Sequence, residues 1–170
     1  NPVAVFREQG PMALLRGRAD DVNAGVEWLR SRADVNSTCI ANMGYSHGAV
    51  AALLASAKNA TWYRATLVQA PVAGPASNSA LGIDEMIRAG RSISTPILVQ
   101  SNTTDAVVHP EITRILVREL QRGGRAVEHR EYTHPSGHEL FFYPDRPDVI
   151  QVWGSDAAAF LEKAFAGCTR

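Results

Sequence analysis

The sequence lacks an excess of charge of either sign, because 17 lysines and arginines balance 17 aspartates and glutamates over 170 residues. This balance gives no support for nucleic-acid binding or for adsorption to a charged membrane surface. The chain also lacks an apolar run of about eighteen residues, so no transmembrane helix is expected. No signal peptide is recognisable in residues 1–20, although the chain starts at Asn1 rather than at a methionine. The compartment is therefore left open between cytoplasmic and secreted.

Cysteine is scarce, since only Cys39 and Cys168 occur, and two cysteines do not make a disulfide framework. Cys39 falls in a predicted buried strand, where a small free thiol is common. Cys168 lies near the C-terminal end, and the sequence leaves open whether the two residues pair. Three Asn-x-Ser/Thr sequons would permit glycosylation in a secretory context, at Asn36, Asn59 and Asn102.

What is present is an ordinary globular composition, with 45% apolar and 20% charged residues, in a chain that suits a single domain over residues 1–170. Apolar runs and helical spacings predict alternating strands and helices. The predicted strands cover residues 2–6, 39–43, 65–70, 96–101 and 126–132, and the predicted helices cover 20–33, 49–55, 84–89, 110–122 and 155–166. This order predicts an α/β fold with a mostly parallel sheet between two helical layers. Ligand sites in such folds lie at the carboxyl ends of the strands.

The most informative stretch is residues 44–48, which read Gly-Tyr-Ser-His-Gly between a predicted strand and a predicted helix. A G-x-S-x-G string alone arises by chance in many proteins. A strand before it and a helix after it are the context in which its serine stands exposed on a sharp turn. The glycines at both shoulders are expected to let neighbouring backbone pass closely. Ser46 is therefore the candidate nucleophile.

A serine nucleophile needs a base, and the base needs an acceptor that fixes its tautomer. Asp105 follows a predicted strand and is the candidate acceptor; the alternative is an Asx turn that only closes the loop. His138 follows the next strand on a Ser-Gly turn and is the candidate base. His134 is its rival, but it directly precedes a proline, which restricts its backbone to extended forms.

The order Ser46, Asp105, His138 after successive strands is that of the α/β-hydrolases. Residues 20–166 resemble the C-terminal two-thirds of such a domain, and most resemble the dienelactone-hydrolase-like branch, close to the catalytic domain of prolyl oligopeptidases. The matching stretches are residues 21–29, 43–48, 95–99 with Asp105, and 136–138. The resemblance implies that Ser46 is the nucleophile, His138 the base, Asp105 its orienting acid and the His47 N–H an oxyanion donor. It implies no metal and no organic cofactor.

Two departures from that family shape the functional prediction. Dienelactone hydrolases carry cysteine where this chain has Ser46, which favours general ester chemistry on small-molecule substrates. No HGGG-like segment precedes Ser46, so the fold is expected to lack its N-terminal strands and the sequence to be N-terminally incomplete. The predicted function is hydrolysis of carboxylic esters through an acyl-enzyme. A serine peptidase of the prolyl-oligopeptidase type and a non-catalytic binding module are the alternatives, and the oligomeric state is not predicted.

Overall fold

The structure is a computed structural model that describes residues 10–72, 80–142 and 146–168. The strand predicted at residues 2–6 lies outside these ranges. In chain order the elements are α1 (Pro11–Arg30), β1 (Ala41–Tyr45), α2 (His47–Lys58), β2 (Ala65–Gln69), α3 (Ala80–Ser92), β3 (Ile97–Asn102), α4 (Pro110–Arg122), β4 (Val127–Tyr132), a 3₁₀ helix (Gly137–Phe141) and α5 (Pro147–Ala164). None of the helices in the described ranges is long and apolar enough to cross a membrane.

The four strands form one parallel sheet in the order β1-β2-β3-β4. Tyr45 at the end of β1 is aligned with Gln69 on β2, and Gln69 is aligned with Gln100 on β3. Because the strands are parallel, the residues that follow β1, β3 and β4 lie at the same edge of the sheet. This is the edge at which the sequence places Ser46, Asp105 and His138.

Helices cover both faces of the sheet and create two apolar cores. On one face, Val68, Ile97 and Val99 pack against side chains of α2, α3 and α4. On the other face, Leu67 and Leu98 pack against α5 and the 3₁₀ helix. The side chains of successive strand residues thus pack in opposite cores, because they point alternately to the two faces of the sheet. The predicted three-layer α/β/α fold is confirmed.

Helix α1 starts earlier than predicted, at Pro11 rather than at Asp20. Proline at the first helical position has no N–H to lose and a backbone angle that suits a helix. Leu15 and Ala19 are buried on the same face as Val26, so the apolar stripe continues toward the N-terminus. The sequence pattern missed this because arginines and a glycine at positions 16–18 interrupt it.

Three other helices differ from prediction in length or face. Helix α3 extends beyond the predicted residues 84–89, and α5 begins at Pro147 rather than near Ser155. Helix α4 has the predicted bounds, but the helical spacing of its apolar residues predicts a buried stripe of Ile112, Ile115, Leu116 and Leu120, of which only the two leucines are buried. Ile112 and Ile115 are only half-buried, whereas the buried positions are Pro110, Thr113, Leu116, Val117 and Leu120.

Strand β1 lies two residues later than predicted, and it is not fully buried. It stands at one end of the strand order, and Met43 at its centre is 48% exposed. Among the strands of the described ranges, β1 has a neighbour on one side only, and the apolar run at residues 39–43 could not show this because composition does not reveal the strand order.

Cys39 and Cys168 form a disulfide, with their Cα atoms 6.1 Å apart. The pairing that the sequence left open is therefore present in the structure. The bond joins the segment before β1 to the segment after α5 across a sequence separation of 129 residues. In the chain-entropy account, a crosslink over so long a loop removes much freedom from the unfolded chain.

We expect reduction of this disulfide to lower the free energy of unfolding by about 3 kcal/mol. For a chain of this size, the melting temperature should fall by roughly 6–12 °C. Thermal unfolding with and without a reductant measures the effect. The double variant Cys39→Ser/Cys168→Ser is the control. Its melting temperature should equal that of the reduced protein and should not change when reductant is added. A melting temperature unchanged by complete reduction would contradict the stabilising role.

Candidate active site

Ser46 occupies a sharp turn between β1 and α2. Its backbone angles are φ 57° and ψ −121°, in a region that non-glycine residues rarely adopt. The turn is held from two sides, since the Ser46 N–H donates to the Gln69 carbonyl at 2.9 Å and the Val72 N–H donates to the Ser46 carbonyl at 3.2 Å. These bonds hold Ser46 in its strained conformation. The sharp turn itself is the one that the sequence motif predicts.

Of the two glycines that flank the turn, only Gly44 is required by close packing. A Cβ on Gly44 would lie 2.1 Å from the carbonyl oxygen of Gly48, whereas a Cβ on Gly48 would meet nothing within 4 Å. The expectation that both glycines make room for backbone is therefore correct for Gly44 and wrong for Gly48. The reason is that α2 starts directly over β1, so the crowding falls on the strand residue.

This contrast provides a matched pair of variants. Gly44→Ala should destabilise the fold by about 3 kcal/mol or more, because rigid backbone atoms must move. Gly48→Ala should be neutral or stabilising by up to about 1 kcal/mol, since alanine favours a helix more than glycine does. Denaturant unfolding of both variants measures the difference. Equal losses of stability in the two variants would show that close packing does not require a glycine at position 44.

The structure brings Ser46, His138 and Asp105 together. The Ser46 Oγ lies 2.9 Å from His138 Nε2, and His138 Nδ1 lies 2.8 Å from Asp105 Oδ2. The His138 side chain is 13% exposed and that of Asp105 is 3% exposed, so both bonds are largely shielded from water. Since a carboxylate only accepts hydrogen bonds, we place a proton on His138 Nδ1, which leaves Nε2 free to accept from Ser46.

Asp105 fulfils both roles that the sequence left as alternatives. Its Oδ1 accepts hydrogen bonds from the N–H groups of Val107 and Val108, each at 2.8 Å, and so closes an Asx-type turn after β3. Its Oδ2 faces His138. The turn therefore fixes the carboxylate so that its second oxygen points at the imidazole.

Asn102 organises the loop that carries His138. It is fully buried at the end of β3, its amide nitrogen donates to the carbonyls of His134 and Gly137 at 2.8 Å each, and its amide oxygen accepts from the His134 N–H at 3.0 Å. The sequence showed Asn102 only as a sequon, and its burial makes that sequon inaccessible in the folded chain. A polar amide at the end of an apolar strand was the signal that could have identified it.

The other histidines have different surroundings. His134 contributes its backbone to the Asn102 contacts, and its Nδ1 accepts from the Ser136 N–H at 3.3 Å. His109 caps α4 by accepting from the Glu111 N–H. His129 lies on β4, with its Nε2 2.9 Å from the Ser101 Oγ. The geometry at Ser46 thus favours His138 over its rival.

His47 is the first residue of α2 and directly follows Ser46. The first N–H groups of a helix have no partner inside the helix and lie at the positive end of its dipole. The imidazole of His47 is half-buried, and burial, followed by the positive charge of Arg18, lowers its pKa. This side chain therefore adds no positive charge beside Ser46 near neutral pH.

A separate cavity of about 610 Å³ lies at the opposite edge of the sheet, near the starts of β3 and β4. Its walls include Pro96, Val127, Phe160 and Lys163. We do not assign it to the site, because ligands of parallel α/β sheets bind at the carboxyl ends of the strands. Within the described ranges, no group of three or more His, Cys, Asp or Glu side chains is placed to hold a metal ion.

Solved structures with the same fold include dipeptidyl peptidase 4 from Porphyromonas gingivalis, with 17% identity and a TM-score of 0.68 over 85% of this chain and 22% of that one. The esterase Pf2001 from Pyrococcus furiosus matches with 18% identity and a TM-score of 0.66, over 85% and 60% of the two chains. MGS-M1, an α/β hydrolase enzyme from a Medee basin deep-sea metagenome library, matches with 16% identity and a TM-score of 0.63, over 87% and 64%.

These likenesses identify the fold as that of the α/β-hydrolases, as the sequence motifs predicted. The chain spans less than two-thirds of the length of each of these three proteins. No protein-family model matches the chain, and no curated protein sequence matches it.

Proposed function

We propose that the protein is a serine hydrolase that cleaves carboxylic esters of small molecules through an acyl-enzyme. The observation that supports this proposal is the continuous hydrogen-bonded series from Ser46 Oγ through the His138 imidazole to the Asp105 carboxylate. The series lies at the carboxyl edge of the sheet, and Ser46 stands on a strained turn. The esterases with the same fold make ester substrates the first choice.

In the proposed mechanism, the Ser46 oxygen attacks the ester carbonyl carbon while His138 Nε2 takes the hydroxyl proton. Asp105 holds the Nδ1 proton and stabilises the imidazolium that forms. When the tetrahedral intermediate collapses, the bond to the leaving alcohol breaks and His138 returns its proton to that oxygen. Water then attacks the acyl-enzyme with His138 again as base, which releases the acid and restores Ser46.

Negative charge on the carbonyl oxygen needs hydrogen-bond donors in both tetrahedral intermediates. We assign one donor to the His47 N–H, because it follows the nucleophile at the start of α2.

We further propose that residues 1–170 belong to one domain, since both apolar cores share a single sheet. We place this domain in the dienelactone-hydrolase-like branch.

A serine peptidase is the second candidate, and the match to a dipeptidyl peptidase favours it. The same three side chains can cleave an amide, and the leaving group then is an amine. Comparing kcat/KM for a p-nitrophenyl ester and for an aminoacyl p-nitroanilide decides between the two. We expect turnover of the ester to exceed that of the anilide. The opposite order would identify a peptidase, and no turnover of either by a folded protein would favour a binding module.

A further inference from the structure

Tyr45 connects the strand of the nucleophile to the loop of the base. It is the last residue of β1 and directly precedes Ser46. Its hydroxyl donates to the backbone carbonyl of His138 at 3.0 Å, and its ring centroid lies 5.0 Å from that of the His138 imidazole. Phe142 packs against the Tyr45 ring with a centroid separation of 5.8 Å. One side chain thus touches both the main chain and the ring of His138.

This contact differs from the anchor that Asn102 provides. Asn102 extends from β3 and holds the carbonyls of His134 and Gly137, which precede His138 in the chain. Tyr45 extends from β1, the strand that ends at Ser46, and holds His138 itself. The distance between Ser46 and His138 is therefore set by a protein contact that does not depend on their own hydrogen bond.

We propose that Tyr45 is a positioning residue that holds His138 in line with Ser46 for proton transfer; this inference rests on the proposed function. The hydroxyl fixes the His138 backbone, and the adjoining ring limits rotation of the imidazole. Displacement of a reacting group by about 1 Å can cost on the order of 100-fold in rate.

Two substitutions separate the hydroxyl from the ring. Tyr45→Phe keeps the ring contact and should lower kcat about fivefold, the rate equivalent of one net hydrogen bond, with KM unchanged. Tyr45→Leu removes both contacts and should lower kcat about 50-fold. Tyr63→Phe is the matched control, because it deletes a buried tyrosine hydrogen bond to Asn23 away from the site. It should lower stability without changing kcat.

A spectroscopic measurement tests the same inference without requiring turnover. The Nδ1 proton of His138, shared with Asp105, should give a downfield proton resonance in the NMR spectrum, assigned by its loss in His138→Ala. In Tyr45→Phe this resonance should broaden through faster exchange with water, while in Tyr63→Phe it should not.

An unchanged resonance in Tyr45→Phe, or a kcat equal to that of Tyr63→Phe, would overturn the positioning role. If the two variants show the expected resonance changes but the wild-type chain hydrolyses no ester, the positioning role stands and the proposed function is rejected. Circular dichroism shows whether Tyr45→Phe loses the resonance because it unfolds. If it does unfold, Tyr45→Trp, which has both a hydrogen-bond donor and an aromatic ring, should retain part of the signal.

Discussion

His138→Ala is expected to lower ester kcat by about 10⁵-fold or more, because Ser46 loses the base that accepts its proton. The backbone contacts of the loop do not depend on the imidazole, since Tyr45 and Asn102 bind carbonyl groups. The folded structure should therefore persist. Initial rates of p-nitrophenyl ester hydrolysis, with circular dichroism to verify folding, measure the effect.

His134→Ala is the matched control from the same loop. Its carbonyl and N–H make the contacts with Asn102, and alanine keeps both. The hydrogen bond from the Ser136 N–H to the imidazole is lost, and kcat should change by less than about tenfold. If His134→Ala abolished turnover and His138→Ala did not, the base would be His134 rather than His138.

Asp105→Asn is expected to lower kcat by about 10³- to 10⁴-fold. The turn N–H groups of Val107 and Val108 will hold the amide oxygen where Oδ1 now lies. The amide nitrogen then faces His138 Nδ1 as a donor, so the proton of the imidazole moves to Nε2. A protonated Nε2 cannot accept the proton of Ser46, and the ring is held in the wrong tautomer.

Asp156→Asn controls for the loss of a hydrogen-bonded carboxylate elsewhere. Asp156 accepts from the Tyr132 hydroxyl at 2.8 Å and pairs with Arg130, on α5 rather than at the Ser46 turn. This variant should keep kcat within about threefold of wild type, although it should lose some stability. Unchanged kinetics of Asp105→Asn would remove Asp105 from the mechanism.

The sequence predicted the fold and the approximate placement of the site because both depend on local patterns. Short apolar runs alternating with helical spacings gave the parallel sheet, and parallel strands bring their following residues to one edge. Ser46, Asp105 and His138 each follow a strand, so their meeting was predictable without coordinates. Their roles in catalysis stay a prediction until they are measured.

The features that the sequence missed depend on contacts between distant segments. Asn102 and Tyr45 bind backbone carbonyls of the His138 loop, and no spacing rule connects a side chain to a carbonyl 35 or 93 residues away. The pairing of Cys39 with Cys168 likewise depends on the docking of α5. The early start of α1 was hidden because charged residues interrupt its apolar stripe.

The most direct test of the account is the site of covalent modification by a fluorophosphonate, which reacts with an activated serine hydroxyl. Intact-mass measurement should show one adduct per chain, and peptide mapping should place it on Ser46. Ser46→Ala should give no adduct, and Asp105→Asn should react much more slowly than wild type. A folded wild-type chain that stays unmodified, or an adduct on another residue, would contradict the claim that Ser46 is an activated nucleophile.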